Sequence, residues 1–95
     1  MDKHDLFIEA FLDFDLTVRS NEGFNKIKYE KVVLSLKGLE PMFKKDKSVP
    51  LKIANLFIDL YPALESSAER HEEETRKKIL DAADELSTIV REITS

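Results

Sequence analysis

The stretch 62-PALESSAERHEEETRKKILDAADELSTIVREI-93 decides the fold. It is the longest span of the chain that reads as helix. Leu64, Ala68, Ile79, Ala82, Leu86, Ile89 and Ile93 recur along it, with His71 and Thr75 filling the same stripe. Steps of three and four place such residues on one side of a helix. Two points inside the span bear on where the final helix begins. Pro62 lacks an amide hydrogen and should kink or end the helix before it. Ser66 and Glu69 have the spacing of a capping box. A break is therefore expected between Leu60 and Ser67. The polar run Glu69 to Lys78 would then form the first half of the last helix. Its acids precede its bases, and Glu73–Lys77 and Glu74–Lys78 are i,i+4 pairs.

Working outward, residues 3–19 read as a first helix. Leu6, Phe7, Ala10, Phe11, Phe14 and Val18 form its stripe, widened by Ile8, Leu12 and Leu16. So broad an apolar arc calls for two neighbouring helices, or for a partner chain as well. Gly23 breaks the chain, and Asn25 is a good N-cap for a second helix. Phe24 and Tyr29 flank that cap as a hydrophobic staple. Ile27, Val32, Val33, Leu36 and Leu39 continue its buried face. Residues 26–30 also alternate as a strand would, but no second strand exists to pair with them. Gly38 and Pro41 end this helix, and Met42 and Phe43 extend it or turn onto the bundle. Ser48, as a cap, with Pro50 opens a third helix, buried through Ile53, Leu56, Phe57, Leu60 and Leu64. The expectation is one domain, residues 1–95, folded as an all-α antiparallel four-helix bundle.

Composition excludes several functions. The 95 residues contain no cysteine, so a disulfide framework or thiolate metal site is not possible. No apolar run is long enough to span a bilayer. The N-terminus opens acidic, unlike a secretory signal. These features suit a cytoplasmic protein. The net charge of −4 is unevenly spread. Residues 1–22 carry −4, residues 23–50 carry +4 and residues 51–95 carry −4. That order lets neighbouring helices attract, and it selects an arrangement more than it stabilises one.

No chemistry-bearing constellation stands out. His4 and His71 are the only histidines, and they read as a frayed terminal residue and a helix-boundary residue. Asp13 and Asp15 point about 200° apart on a helix and cannot share an ion. Asp81, Asp84 and Glu85 share a face, best read as solvated. There is no phosphate-binding glycine loop and no nucleophile beside a base. The expectation is a non-enzymatic protein without metal or cofactor. The basic middle (Lys26, Lys28, Lys31, Lys37, Lys44, Lys45, Lys47) lacks arginine and lies between acidic segments. Nucleic acid is therefore not expected as a partner, although the lysines would suit peripheral contact with an anionic inner leaflet. The exposed side of the last helix, with Glu72, Arg76, Glu85, Arg91 and Glu92, is the candidate surface for a protein partner.

Three stretches together resemble the immunity proteins of pediocin-like bacteriocins, the enterocin A immunity family. They are the Tyr-led opening Lys28 to Leu36, the Pro-containing entry Lys47 to Leu51 followed by Ile53, Leu56 and Ile58, and the last helix from Glu73 and Glu74 through Leu80 to Leu86. The likeness spans about residues 6–93. It implies a cytosolic antiparallel four-helix bundle that protects a bacteriocin producer from its own pore-forming peptide. In that family the protein acts from inside the cell, at the sugar-phosphotransferase membrane receptor that the peptide has engaged, and specificity is associated with the C-terminal part. The present sequence stops at Ser95, without the longer tail of some members. The alternative expectation is a small helical adaptor or regulatory protein that dimerises through residues 6–18 or binds a partner helix. A monomer or weak dimer fits either.

Overall fold

The computed structural model describes residues 2–95, and every regular element among them is helical. Helix α1 runs Lys3–Arg19, α2 Lys26–Lys37, α3 Glu40–Asp46, α4 Leu51–Ala68 and α5 Glu73–Ile93. The four long helices are the expected bundle, and α3 is a short extra turn between its halves.

Helix α1 starts where its cap allows. The Asp2 carboxylate accepts the Asp5 amide at 2.8 Å. That bond holds the Asp2 carboxyl below the ordinary carboxylate value. In the same way the Asn25 side chain accepts the Lys28 amide at 3.0 Å. Phe24 and Tyr29 close over that cap with ring centroids 5.5 Å apart. The alternating segment 26–30 is therefore helix.

Helices α1 and α2 form one antiparallel hairpin, and α4 and α5 form a second. Lys28 marks the first pairing, with Nζ 3.3 Å from the Asp13 carboxylate and 2.8 Å from the Thr17 hydroxyl. The hairpins lie side by side, with α1 along α4 and α2 along α5. Each of these two pairs is parallel. Asp5 meets Lys52 at 3.1 Å near the start of α1 and α4, and the Val18 carbonyl meets His71 Nε2 at 2.5 Å near their ends.

The core is built from the expected stripes. Phe7, Phe11, Phe14, Val18, Val32, Leu36, Leu39, Ile53, Leu60, Leu64, Ile79, Leu86, Ile89 and Ile93 are all buried. Aromatic rings gather at both ends of α1. Phe7 packs edge-on to Phe57 with centroids 5.8 Å apart, and Phe14 packs edge-on to Phe24 at 5.9 Å.

Four expectations need correction. First, α4 continues through Pro62 to Ala68, and the break falls at residues 69–72. Pro62 and Ile58, whose carbonyl loses the proline amide, both lie on the solvent side, where water can take the acceptor's place. Ser66 and Glu69 consequently form no capping box, and Glu69 to Glu72 are outside α5. Second, α4 begins after Pro50, whose carbonyl accepts the Ile53 and Ala54 amides at 3.0 and 2.9 Å. Ser48 caps nothing. Third, His4 is not frayed: it is half-buried and stacks on Phe43, centroids 6.3 Å apart. Fourth, Ile27 is 69% exposed, because it sits seven residues before Leu34 on the outer side of α2. Of the two expected i,i+4 pairs, Glu74–Lys78 forms, at 3.9 Å.

Candidate functional site

Helix α5 lies between α2 and α4, so its charged residues divide between two flanks. Glu85 and Glu92, seven residues apart, turn toward α2. They line a hollow of about 390 Å³ with Lys37, Glu40 and Thr88. The Tyr29 hydroxyl donates to the Glu85 carboxylate. Burial of Tyr29, with the Glu85 charge beside it, pushes the phenol well above its ordinary value. Arg76 turns the other way. It lines a hollow of about 370 Å³ with Glu65, Ala68, Glu69 and Leu80, and its guanidinium donates to the His71 carbonyl at 3.0 Å. Glu72 stands just outside α5, at the N-cap position without a capping bond. Arg91 is exposed and lies nearer the Arg76 flank. All five residues are at the surface, but they are not gathered onto one face.

The acids considered for a metal are dispersed. Asp13 pairs with Lys28 on the α2 side. Asp15 is buried and pairs with Arg19 at 2.7 Å, while its other carboxylate oxygen has no partner. Asp81 and Glu85 flank a hollow shared with Lys78 and Tyr29. Asp84 instead faces α4, where its charge raises the Tyr61 phenol. Among the described residues no three His, Cys, Asp or Glu converge on a point. His71 has a packing role in the turn between α4 and α5, held against the end of α1.

Another hollow lies on the outer side of the α1–α2 hairpin. It is an open depression of about 800 Å³, lined by Leu6, Ala10, Leu34 and Ser35 with Glu9, Asp13 and Lys31 around them. Leu6, Leu16, Ile27 and Leu34 on this side are 49, 67, 69 and 71% exposed. The over-wide arc of α1 signals part of it in the sequence. The contribution of α2 is hidden, because Ile27 reads as a member of the buried stripe with Val32, Val33, Leu36 and Leu39, and Leu34 stands outside that stripe.

No protein-family model, curated protein or solved structure matches the chain. No helix is long and apolar enough to cross a membrane.

Proposed function

We propose that the protein is a non-enzymatic bacteriocin immunity protein that acts by binding a protein partner at the cytosolic face of the membrane. The partner is a bacteriocin-engaged receptor or the toxin itself. The reading rests on the three stretches that resemble the enterocin A immunity family. The single structural observation in its favour is the architecture, a bundle of four long helices built from two antiparallel hairpins, with a short helix before the third. Such a body can present a helix face to a protein partner. The contact surface we assign to this role is the exposed side of α5, on the two flanks defined by Arg76 and Arg91 and by Glu85 and Glu92, with Glu72 at its entry.

Expression in a strain sensitive to pediocin-like peptides should confer resistance. Sensitivity that stays unchanged with the protein folded and abundant removes the reading. Reversing the charge of Glu72, Arg76, Glu85, Arg91 and Glu92 one at a time should reduce protection at one flank more than at the other. Uniform retention across all five positions removes α5 as the contact.

A second reading, a small helical adaptor that dimerises or binds a partner helix, is favoured by the four exposed aliphatic residues of the α1–α2 face. Light scattering or pull-down with that face altered separates it from the first, which needs only α5.

A further inference from the structure

We propose that two copies of this chain associate through the outer face of the α1–α2 hairpin, about a two-fold axis running parallel to the helices. The proposal shares with the adaptor reading the premise that this face is covered in use. It goes further in naming the occupant and the symmetry.

The face carries a repeated pattern. On α1, Leu6, Glu9, Asp13 and Leu16 follow one another at steps of three and four. On α2, Ile27, Lys31 and Leu34 do the same. Each set forms one outward stripe. The antiparallel hairpin fixes their heights. Lys28 reaches Asp13 and Thr17, and the shared hollow places Leu6 and Ala10 beside Leu34 and Ser35. Leu6 is thus level with Leu34, Glu9 and Asp13 with Lys31, and Leu16 with the Ile27 end of α2. The α1 stripe is acidic and the α2 stripe basic. Neither Glu9 nor Lys31 has an ion-pair partner among the described residues.

Two ways of laying this face on a copy of itself keep the helices aligned. An axis across the helices sets α1 on α1 and brings Glu9 and Asp13 against the same acids. An axis along the helices preserves height and exchanges the flanks. Leu6 then meets Leu34 of the second copy, Glu9 and Asp13 meet its Lys31, and Leu16 meets its Ile27. Apolar residues oppose apolar ones and charges oppose their counter-charges at every level, so the pattern selects the second axis. The size of the patch sets the strength. A helix of 17 residues is about 25 Å long, and two helices side by side span about 18–20 Å. Each copy then contributes about 500 Å², and both together about 1,000 Å². That is the lower end of specific interfaces, so the dimer is reversible, with a dissociation constant on the order of micromolar.

Sedimentation equilibrium from about 5 to 500 μM spans that range and should show a monomer–dimer equilibrium. Lys31→Glu and Glu9→Lys should each weaken it by roughly tenfold or more, and the double exchange should recover most of the loss. Leu34→Asn should weaken it too. Ile58→Asn should not, although Leu34 and Ile58 are both 71% exposed. The chain has no cysteine of its own, so single cysteines report geometry directly. Leu16→Cys mixed with Ile27→Cys should cross-link, and Leu16→Cys alone should not. A monomer at every concentration overturns the proposal, as do failed rescue by the charge exchange and self-cross-linking at position 16. A monomer that nonetheless binds a helical peptide on this face overturns the dimer while leaving the adaptor reading in place. None of these outcomes bears on protection against a bacteriocin through α5.

Discussion

Replacing Gly23 by alanine should cost about 2–5 kcal/mol, and the two parts of that cost are separable. Gly23 joins α1 to α2 with φ +68°. A side chain is disfavoured there by about 1–2 kcal/mol, because Cβ crowds the backbone. The added carbon would also lie 2.9 Å from Thr75 Cγ2 and 3.6 Å from the His71 ring. That first distance is well inside contact, and overpacking of this kind costs about 1–3 kcal/mol. The glycine therefore lets the α1–α2 turn rest on the α4–α5 turn, where His71 Nε2 also meets the Val18 carbonyl. Urea denaturation of four proteins closes the cycle: the parent, Gly23→Ala, Thr75→Ser and the double variant. Thr75→Ser deletes the methyl group that clashes. The double variant should thus regain the steric part and keep only the backbone penalty of about 1–2 kcal/mol. The Gly23→Ala protein should melt about 8–40 °C lower. A loss below about 0.5 kcal/mol, the range of ordinary surface changes, would refute the close approach of the two turns. Additivity of the two substitutions would locate the strain elsewhere.

Pro62→Ala restores an amide opposite the exposed Ile58 carbonyl within α4. It should stabilise the protein by about 2–3 kcal/mol, the interior-proline cost of about 3 kcal/mol less the entropy of at most about 1 kcal/mol that proline removes from the unfolded chain. Destabilisation would mean that α4 needs a bend there. Asn25→Ala should lower stability by about 1 kcal/mol, read by denaturation, with amide exchange quickening at Lys28 first. Tyr29 holds its proton more tightly folded than unfolded. Its contribution is therefore complete below the ordinary phenol value and is lost as pH rises above it. Alkaline titration should show stability falling beyond about pH 10, and Tyr29→Phe should flatten that fall. An unchanged slope in the variant would assign the effect to other groups.

The sequence-level reading succeeded where a local signal and the tertiary contact agree. Asn25 caps the helix it precedes, and the Phe24–Tyr29 staple closes as its spacing requires. The stripe of α5 is buried throughout from Ile79 to Ile93. The reading failed where a residue's effect depends on which way it faces. Proline ends a helix when its missing bond would be buried, but Pro62 faces water. Ser66 and Glu69 have capping spacing, yet they fall in the last turn of a helix already running. The true break at residues 69–72 contains neither glycine nor proline. It is made by packing, with the turn seated against Val18 and Gly23, and no local pattern announces such a stop. The candidate surface was legible in the same partial way. The five charged positions are exposed as expected, but the rotation of α5 between two neighbours splits them. The hollow on α1–α2 needed two helices in register to be seen.

The charge order explains why α1 has the neighbours it has. Its acids are shared out around the helix. Asp13 reaches Lys28 on α2, and Asp5 reaches Lys52 on α4. Each pair is partly exposed and contributes only about 0.2–1 kcal/mol. That is too little to hold the bundle, whose stability comes from the buried rings and aliphatic stripes. It is enough to discriminate between arrangements, because swapping α4 with α5 would set α1 beside a helix that places Asp81, Asp84 and Glu85 on its surface. Repulsion would then replace attraction at several positions at once. Glu9 is the acid this logic leaves over, since it points neither to α2 nor to α4. A lysine level with it on the adjacent helix is likewise unpaired. Within one copy the two line the same outward hollow and do not pair with each other. Between two copies they can.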